Sequence, residues 1–279
     1  MKIAVIGAGT MGGGIAEVAA TSGFEVILED MEESFVHAGL ETIGKRLAKR
    51  VAEGKLPPSE KTAILSRIAT ATALKDCATA DLVIEAVVEK EEIKKPLFAE
   101  LDRLCPPATI FASNTSAISI TRLAQATTRP DRFLGMHFMN PAPVMKLVEI
   151  VTGLRTSGET VAVAASVCEK LEKTAVIVHD SPAFVSSRLI MQLVNEAMYC
   201  MQEGIASRDG IDTIMTLGAH HPMGPLALAD LMGLDICLAT LDLLHAELGE
   251  KYRPCGVLRQ MVAAGKLGRK SGEGFYDYR

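Results

Sequence analysis

The sequence predicts an α/β fold, in which a doubly wound, mainly parallel sheet is followed by an all-helical domain. Short runs rich in Val, Ile and Leu recur through the first two-thirds of the chain, as strands buried on both faces require. Helical patterns separate these runs, and strand–helix–strand alternation implies right-handed crossovers between parallel strands. Only helical patterns follow residue 180, which predicts the second domain.

Eight strands are predicted, over 2–7, 25–30, 68–73, 81–87, 109–114, 133–138, 147–151 and 175–179. The connection over 31–67 is too long for one crossover helix and is broken by Pro57 and Pro58, so it predicts a helical hairpin projecting from the sheet. Four helices are predicted after the sheet, over 184–203, 208–218, 224–247 and 255–264.

We place the domain boundary between residues 182 and 183, which gives domains of 1–182 and 183–279. The second domain is strongly apolar and small for a free-standing core. We therefore expect it to pack against a copy of itself, which predicts a homodimer.

Composition and charge argue against several classes of function. The chain of 279 residues has a formal net charge of −5, whereas a nucleic-acid-binding domain is usually basic. No apolar run reaches the ~20 residues that a membrane helix needs. The six cysteines form no Cys-x-x-Cys pair and no metal-ligand spacing, so we expect no metal site and a reduced compartment. The cytoplasm is the expected location, and an organelle reached with a transit peptide since removed is the alternative.

A glycine-rich turn follows the first predicted strand and opens a helix. It consists of Gly7, Ala8, Gly9, Thr10, Met11 and Gly12. In such a turn the first glycine permits the tight bend, the second lets a pyrophosphate approach the backbone, and the third lets the helix pack closely on the strand. The free N–H groups of the helix N-terminus then bind the phosphates. This context predicts a Rossmann-like, dinucleotide-binding first domain.

An acid at the end of the second strand is the other half of this pattern. Asp30 stands there, about 20 residues beyond the turn. Its carboxylate would accept hydrogen bonds from the ribose hydroxyls and repel a 2′-phosphate, so the expected cofactor is NAD rather than NADP. The alternative is a strand-end acid that faces solvent.

Seven segments of the chain carry sequence motifs that are specific to one protein family. The most specific of them, over 135–149, reads GMHFMNPAPVMKLVE. The others are 5–12, 84–89, 112–116, 195–197, 221–225 and 268–276. Together they span essentially the whole chain, and they resemble the 3-hydroxyacyl-CoA dehydrogenase family, especially its bacterial members that act on 3-hydroxybutyryl-CoA.

This resemblance implies reversible, NAD-dependent oxidation of a short (S)-3-hydroxyacyl-CoA thioester to the 3-oxoacyl-CoA, in fatty-acid or butyrate metabolism. His137 matches the family's catalytic base, and Glu149 matches the carboxylate that orients it. An imidazole with an ordinary pKa near ~6.5 suits removal of the hydroxyl proton, and a carboxylate on its other nitrogen fixes the tautomer. Considered without the family, His137 would be a core histidine, and Glu149 a strand acid or an ion-pair partner.

The resemblance also assigns binding residues. Ser116 matches a serine that touches both the substrate and the nicotinamide ribose, and the alternative is a helix N-cap. Further positions that the family uses around the cofactor are Glu89, Lys94, Asn140 and Lys270. Basic positions where the family's hairpin meets the phosphates of CoA are Lys49, Arg50 and Lys55. For the lysines and the basic hairpin, the alternative is an ordinary solvated side chain.

The chain departs from the family after the last strand. The family usually reads Pro-Gly-Phe-Val-x-Asn-Arg there, whereas this chain reads Pro-Ala-Phe-Val-Ser-Ser-Arg over 182–188. Ser187 replaces an Asn that hydrogen-bonds near the reacting centre; Ser is shorter but still donates one hydrogen bond. Three interpretations stay open: Ser187 or a bridging water serves, another residue serves, or the enzyme is slow or has an altered substrate scope.

Two other functions also stay open. One is an NAD-dependent dehydrogenase of a free 3-hydroxy acid or sugar acid, against which the basic hairpin argues. The other is an NAD-binding relative with impaired activity, which only Ser187 supports.

Overall fold

The computed structural model describes residues 1–279, which form two compact units, Met1–Asp180 and Ser181–Arg279. The first unit contains one eight-stranded sheet. Its strands are β1 (Lys2–Ile6), β2 (Glu25–Glu29), β3 (Ile68–Ala71), β4 (Leu82–Glu85), β5 (Ile110–Ser113), β6 (Phe133–Phe138), β7 (Leu147–Thr152) and β8 (Thr174–His179). Its helices are α1 (Thr10–Thr21), α2 (Glu33–Ala52), α3 (Pro58–Ser66), α4 (Glu91–Leu104), α5 (Ile120–Ala124) and α6 (Gly158–Lys170).

The sheet topology confirms the predicted doubly wound fold. The strands lie in the order β3-β2-β1-β4-β5-β6-β7-β8, and every neighbouring pair is parallel except β6 and β7. The strand order reverses between β1 and β4. Ligands of such sheets bind outside the carboxyl ends of the strands at this reversal. The residues that follow β1, β2, β4, β5 and β6 therefore share the edge where a ligand is expected.

The helix that follows the glycine turn is buried against the sheet along most of its length. Ile15, Ala16 and Ala19 of α1 are fully buried, in one core cluster with Val5 and Leu28 of the strands. Small side chains let the helix approach the sheet closely. The turn at the start of α1 is therefore held in a fixed position at the ligand edge.

Helices α2 and α3 form a hairpin within the region 31–67. Ile43, Leu47 and Ile64 are completely buried on its inner side. Pro58 occupies the start of α3, where its fixed φ suits a first helical turn. The apolar inner face anchors the hairpin, and the end of α2 reaches into solvent.

The second unit contains the helices α7 (Ser186–Gln202), α8 (Arg208–Thr213), α9 (Pro225–Met232), α10 (Leu234–Leu248) and α11 (Gly256–Ala263), and it has no strand longer than an isolated bridge. The prediction of one helix over 224–247 is wrong, because Gly233, with a φ of +100°, separates α9 from α10. Glycine alone adopts this conformation at little cost. The helix predicted over 208–218 is α8 continued by a π-helical segment, Ile214–Gly218. No helix of the chain is both long and apolar enough to cross a membrane.

Candidate active site

The three glycines of the turn have different surroundings. Gly7 has a φ of +99°, and a Cβ there would lie 2.8 Å from the Ala86 carbonyl oxygen. A Cβ at Gly12 would lie 1.7 Å from the Gly7 carbonyl oxygen, so the turn can close only on a glycine. Nothing lies within 4 Å of the Cβ position of Gly9. Open space therefore lies at the glycine where a phosphate is expected to approach the backbone.

Asp30 joins the turn to the end of β2. Its Oδ2 accepts a hydrogen bond from Ala8 N at 2.7 Å, and its Oδ1 accepts one from Met31 N at 2.8 Å. The half-buried carboxylate borders a cavity of about 820 Å³ that also includes Gly9 and has mainly apolar walls. Apolar walls with a few polar groups suit a nucleoside. These residues fit NAD: the cavity would hold its adenosine half, and the glycine turn would bind its phosphates.

A second carboxyl group, Glu29, borders the same cavity. Only 4% of Glu29 is exposed, and burial raises its pKa to about 7, helped by the nearby carboxylates of Asp30, Asp76 and Glu100. The proton of Glu29 therefore leaves near neutral pH. Above that pH, this wall of the cavity carries an additional negative charge.

We expect Glu29→Gln to stabilise the protein at about pH 8 and to change its stability little near pH 4.5. Because the pKa in the folded state lies above the ordinary value of 4.5, the folded chain holds this proton more tightly than the unfolded chain. Wild-type stability therefore falls as the pH rises from 4.5 to about 7, by about 2–3 kcal/mol. Urea unfolding followed by circular dichroism measures the difference. Glu25→Gln, at the exposed start of the same strand, is the matched control, and equal effects of Glu29→Gln at both pH values would contradict the assignment.

His137 and Glu149 face each other in direct register across β6 and β7. His137 Nδ1 lies 2.7 Å from Glu149 Oε2, and both side chains are almost fully buried. Glu149 Oε2 accepts a hydrogen bond from His137 Nδ1–H, and this tautomer places the lone pair of the neutral ring on Nε2. The two residues, distant in sequence, become neighbours because β7 runs antiparallel to β6.

Ser116 lies on the other side of the imidazole. Its Oγ is 3.0 Å from His137 Nε2. The alternative interpretation of Ser116 as a helix N-cap is wrong, because Ser119 caps α5 and accepts a hydrogen bond from Arg122 N at 3.2 Å. The Ser116 hydroxyl thus contacts Nε2, the ring nitrogen opposite the one that faces Glu149.

A network of ionisable groups lies beside Ser116. Lys94 is 1% exposed and contacts Glu85 Oε1 at 2.5 Å and Glu89 Oε2 at 3.2 Å. Glu85 Oε2 accepts a hydrogen bond from Ser113 Oγ at 2.6 Å, and Glu89 Oε1 accepts one from Ser116 N at 2.9 Å. The alternative interpretation of Lys94 as a solvated lysine is therefore wrong.

Asn140 is exposed in the loop between β6 and β7. The buried Lys173 holds this loop, because its ammonium group donates hydrogen bonds to the carbonyl oxygens of Ala142 and Met145, each at 2.7 Å. The loop also packs on α1, where a Cβ at Gly14 would lie 3.2 Å from Ala142 Cβ. The loop therefore has a defined position next to the helix of the glycine turn.

The three basic residues assigned to CoA lie at the end of α2 and just beyond it. Lys55 pairs with Glu53 at 2.7 Å, and Lys49 approaches the same carboxylate at 3.9 Å. Both lysines are exposed, whereas Arg50 is half-buried. The structure brings Lys49 and Lys55 to a shared acid but does not gather all three residues around one point.

Another arginine of the hairpin, Arg46, has a buried partner. Its Nε lies 2.5 Å from Oε2 of Glu17, which is 2% exposed in the middle of α1. Arg46 also borders a cavity of about 330 Å³ beside the glycine turn. The ion pair therefore fixes α2 to the helix that carries the turn.

Ser187 and Lys270 belong to the second unit. Ser187 is half-buried in the first turn of α7. Before it, Ala183 and Phe184 have φ values of +56° and +52°, a left-handed conformation that residues with a Cβ seldom adopt. Lys270 Nζ lies 2.6 Å from Asp235 Oδ1, and both side chains are partly exposed. The backbone before Ser187 is therefore strained. Lys270 forms an ion pair with Asp235, which belongs to the same unit.

Glu85 and Glu17 are not among the residues predicted from the sequence, although each carries a signal. Each acid interrupts an otherwise apolar run, in β4 and in α1 respectively. A charge buried in such a run needs a partner. Lys94 and Arg46 supply it from other positions in the chain, which the local pattern cannot reveal.

Comparison with known proteins places these features in a family. Residues 2–181 match the model described as 3-hydroxyacyl-CoA dehydrogenase, NAD binding domain, and residues 184–278 match the corresponding C-terminal domain. The probable 3-hydroxybutyryl-CoA dehydrogenase of Deinococcus radiodurans is 53% identical, with 100% of both chains covered. The 3-hydroxybutyryl-CoA dehydrogenase of Bradyrhizobium diazoefficiens is 50% identical, with 100% of this chain and 95% of that one covered.

A solved structure shows the same likeness. The crystal structure of (S)-3-hydroxybutyryl-CoA dehydrogenase from Ralstonia eutropha has a TM-score of 0.97 at 44% identity, with 100% of this chain and 99% of that one covered. The resemblance found in the sequence is thereby confirmed. The chain belongs to the 3-hydroxyacyl-CoA dehydrogenase family and is an NAD-dependent oxidoreductase.

Proposed function

We propose that the protein oxidises (S)-3-hydroxybutyryl-CoA to acetoacetyl-CoA with NAD and catalyses the reverse reaction with NADH. The observation that carries the proposal is the chain of contacts Ser116–His137–Glu149, at the sheet edge that also carries the glycine turn. The names of the similar bacterial enzymes support a four-carbon acyl group.

His137 moves the proton in this mechanism. During oxidation, the 3-hydroxyl group gives its proton to Nε2, and the hydrogen on C3 leaves as hydride. Bound NAD supplies the hydride acceptor. Glu149 stabilises the imidazolium that forms, and Ser116 holds the 3-oxygen close to Nε2. During reduction the imidazolium returns the proton to the same oxygen.

The thioester is favoured over a free acid by the basic end of the hairpin. Lys49 and Lys55 are exposed there, and Arg50 is half-buried beside them. A small free acid does not need an anion-binding arm far from its reacting carbon, whereas CoA phosphates supply remote binding energy. The other cofactor and CoA contacts assigned from the resemblance remain part of the proposal.

A rate series with NADH tests the function directly. Acetoacetyl-CoA, longer 3-oxoacyl-CoA thioesters and free acetoacetate are compared, each also with NADPH. We expect kcat/KM to be highest for acetoacetyl-CoA with NADH and about 100-fold lower for the free acid. Equal rates with the free acid would favour the free-acid dehydrogenase. No turnover alongside normal NADH binding would favour an impaired relative.

Ser187 is proposed to supply the hydrogen bond of the Asn that it replaces. Removal of one such donor typically lowers kcat by about 10²-fold, so Ser187→Ala should approach this loss. Ser187→Asn should change kcat by less than about 10-fold, since the hydroxyl already donates one hydrogen bond. Steady-state kinetics with acetoacetyl-CoA measure both variants, with Ser181→Ala as the control. A large gain for Ser187→Asn would show instead that the native serine limits the rate.

The proposal includes a homodimer formed through the helical unit. Several large apolar side chains of this unit are 51–75% exposed, which is typical of an interaction surface. They include Leu189, Ile205, Ile214, Leu217 and Ile236. Sedimentation of wild-type protein at micromolar concentration should give a dimer, and a monomer there would contradict this part of the proposal.

We also propose a cytoplasmic location. All six cysteines are free thiols, which suits a reducing compartment. Burial raises the pKa of the Cys77, Cys168 and Cys237 thiols to about 12, so these three are not reactive nucleophiles.

A further inference from the structure

We infer that Glu85, Lys94 and Ser113 form a buried positioning unit for the reaction, because they fix Glu89 and, through it, the loop that carries Ser116. The inference rests on the proposed function. Beside the cofactor contact that the resemblance implies for Lys94, it assigns this residue a role through other residues, because the buried ammonium group is bonded to two carboxylates.

Glu85 is the fixed end of this unit. It is 0% exposed at the end of β4. Its Oε1 accepts hydrogen bonds from Lys94 Nζ at 2.5 Å and Val87 N at 2.8 Å, and its Oε2 accepts one from Ser113 Oγ at 2.6 Å. Burial raises the pKa of Glu85, and the Lys94 ammonium group is the largest influence that opposes this rise. Lys94 and Glu85 therefore hold each other in place inside the sheet edge.

Lys94 transmits this fixed position to Glu89. Its Nζ lies 3.2 Å from Glu89 Oε2. The Glu89 side chain is 43% exposed, and an exposed Glu usually samples many rotamers. Because Glu85 fixes the position of the Lys94 ammonium group, the ion pair restricts Glu89 to rotamers whose carboxylate reaches that group.

Glu89 joins two loops. It lies between β4 and α4, and its Oε1 accepts a hydrogen bond from Ser116 N at 2.9 Å and another from the Thr115 hydroxyl. Both of these residues lie between β5 and α5. The Ser116 hydroxyl in turn lies 3.0 Å from His137 Nε2. The position of the hydroxyl beside the imidazole therefore depends on the carboxylate that Lys94 orients.

The consequence is a dependence of kcat on Lys94. A displacement of about 1 Å near the reacting atoms can cost about 10²-fold in rate. Loss of Lys94 frees Glu89, and with it Ser116, without removing a group that touches the substrate. We therefore expect a fall in kcat with little change in the KM for the thioester.

The test uses three variants of the full-length protein. Lys94→Met removes the ammonium group. Glu85→Gln combined with Lys94→Met removes both members of the buried ion pair, so that neither charge is left without its partner. Lys95→Met is the matched control, since Lys95 is the next residue of α4 and pairs with Glu91 on the surface. For each variant, kcat at saturating NADH, KM for acetoacetyl-CoA, the pH profile of kcat and the thermal unfolding midpoint are measured.

We expect kcat to fall about 10- to 100-fold in Lys94→Met and in the double variant, with an altered pH profile in both. The double variant should recover most of the unfolding midpoint that Lys94→Met loses. A double variant that recovers both the midpoint and kcat would overturn the inference, because the role would then be structural only. Wild-type kcat in Lys94→Met would also overturn it. Inactive wild-type protein would instead refute the proposed function.

Discussion

His137→Gln is expected to lower kcat for acetoacetyl-CoA reduction by about 10²–10⁴-fold while NADH binding survives. Gln is similar in reach but cannot take or return a proton at neutral pH. The glycine turn and Asp30 follow β1 and β2, whereas His137 lies in β6, so the NADH dissociation constant should change little. Single-turnover kinetics and a fluorescence titration with NADH measure the two quantities.

A matched control is His179→Gln, in the neighbouring part of the same sheet. His179 contacts Thr152 Oγ1 at 3.1 Å and has no assigned role, so its replacement should leave kcat unchanged. Because His137 and Glu149 act as one unit, a His137→Gln and Glu149→Gln double variant should lose little more than the His137 variant alone. Turnover retained in His137→Gln would refute the assigned base.

Asp230→Ala is expected to destabilise the second unit by about 3–4 kcal/mol. The carboxylate is 1% exposed and accepts hydrogen bonds from Phe275 N and Tyr276 N, both at 2.9 Å, and from the Tyr278 hydroxyl at 3.1 Å. Truncation leaves these three donors without their acceptor. An unsatisfied buried group costs about 1–3 kcal/mol, and the two tyrosine donors, which are only part-buried, contribute at the low end of that range. The C-terminal segment should therefore detach first.

Tyrosine fluorescence during urea unfolding measures this loss selectively. The chain has no Trp, and all four tyrosines lie in the second unit, at 199, 252, 276 and 278. The control is Asp242→Ala, which removes an exposed partner of Arg259 and should cost less than about 1 kcal/mol. Equal midpoints for Asp230→Ala and Asp242→Ala would contradict the role of Asp230.

Much of the fold could be predicted because its signals are local. Apolar runs and helical periodicity located the eight strands, and the glycine turn with Asp30 identified the dinucleotide end of the sheet. The single helix predicted over 224–247 was wrong for a local reason as well. Gly233 adopts a positive φ and ends the helix, but a single glycine in an apolar run does not by itself predict such a break.

Only part of the candidate active site could be predicted from the sequence. Resemblance to the family picked out His137, Glu149 and Ser116, and the structure joins these three in one chain of contacts. The resemblance did not assign a role to Glu85. The role of a buried acid becomes visible through the residue it pairs with, here Lys94, and not through its neighbours in the sequence.

The amino-acid sequence by itself determined where strands, turns and family motifs lie, because periodicity and turn chemistry depend on residues close together in the chain. Only the tertiary structure decided which side chains meet. The contacts of Lys94 with Glu85 and Glu89, of Arg46 with Glu17, and of Asp230 with the C-terminal segment form when separate elements close on one another. A buried charge is stable only with such a partner, so packing selects the pairs.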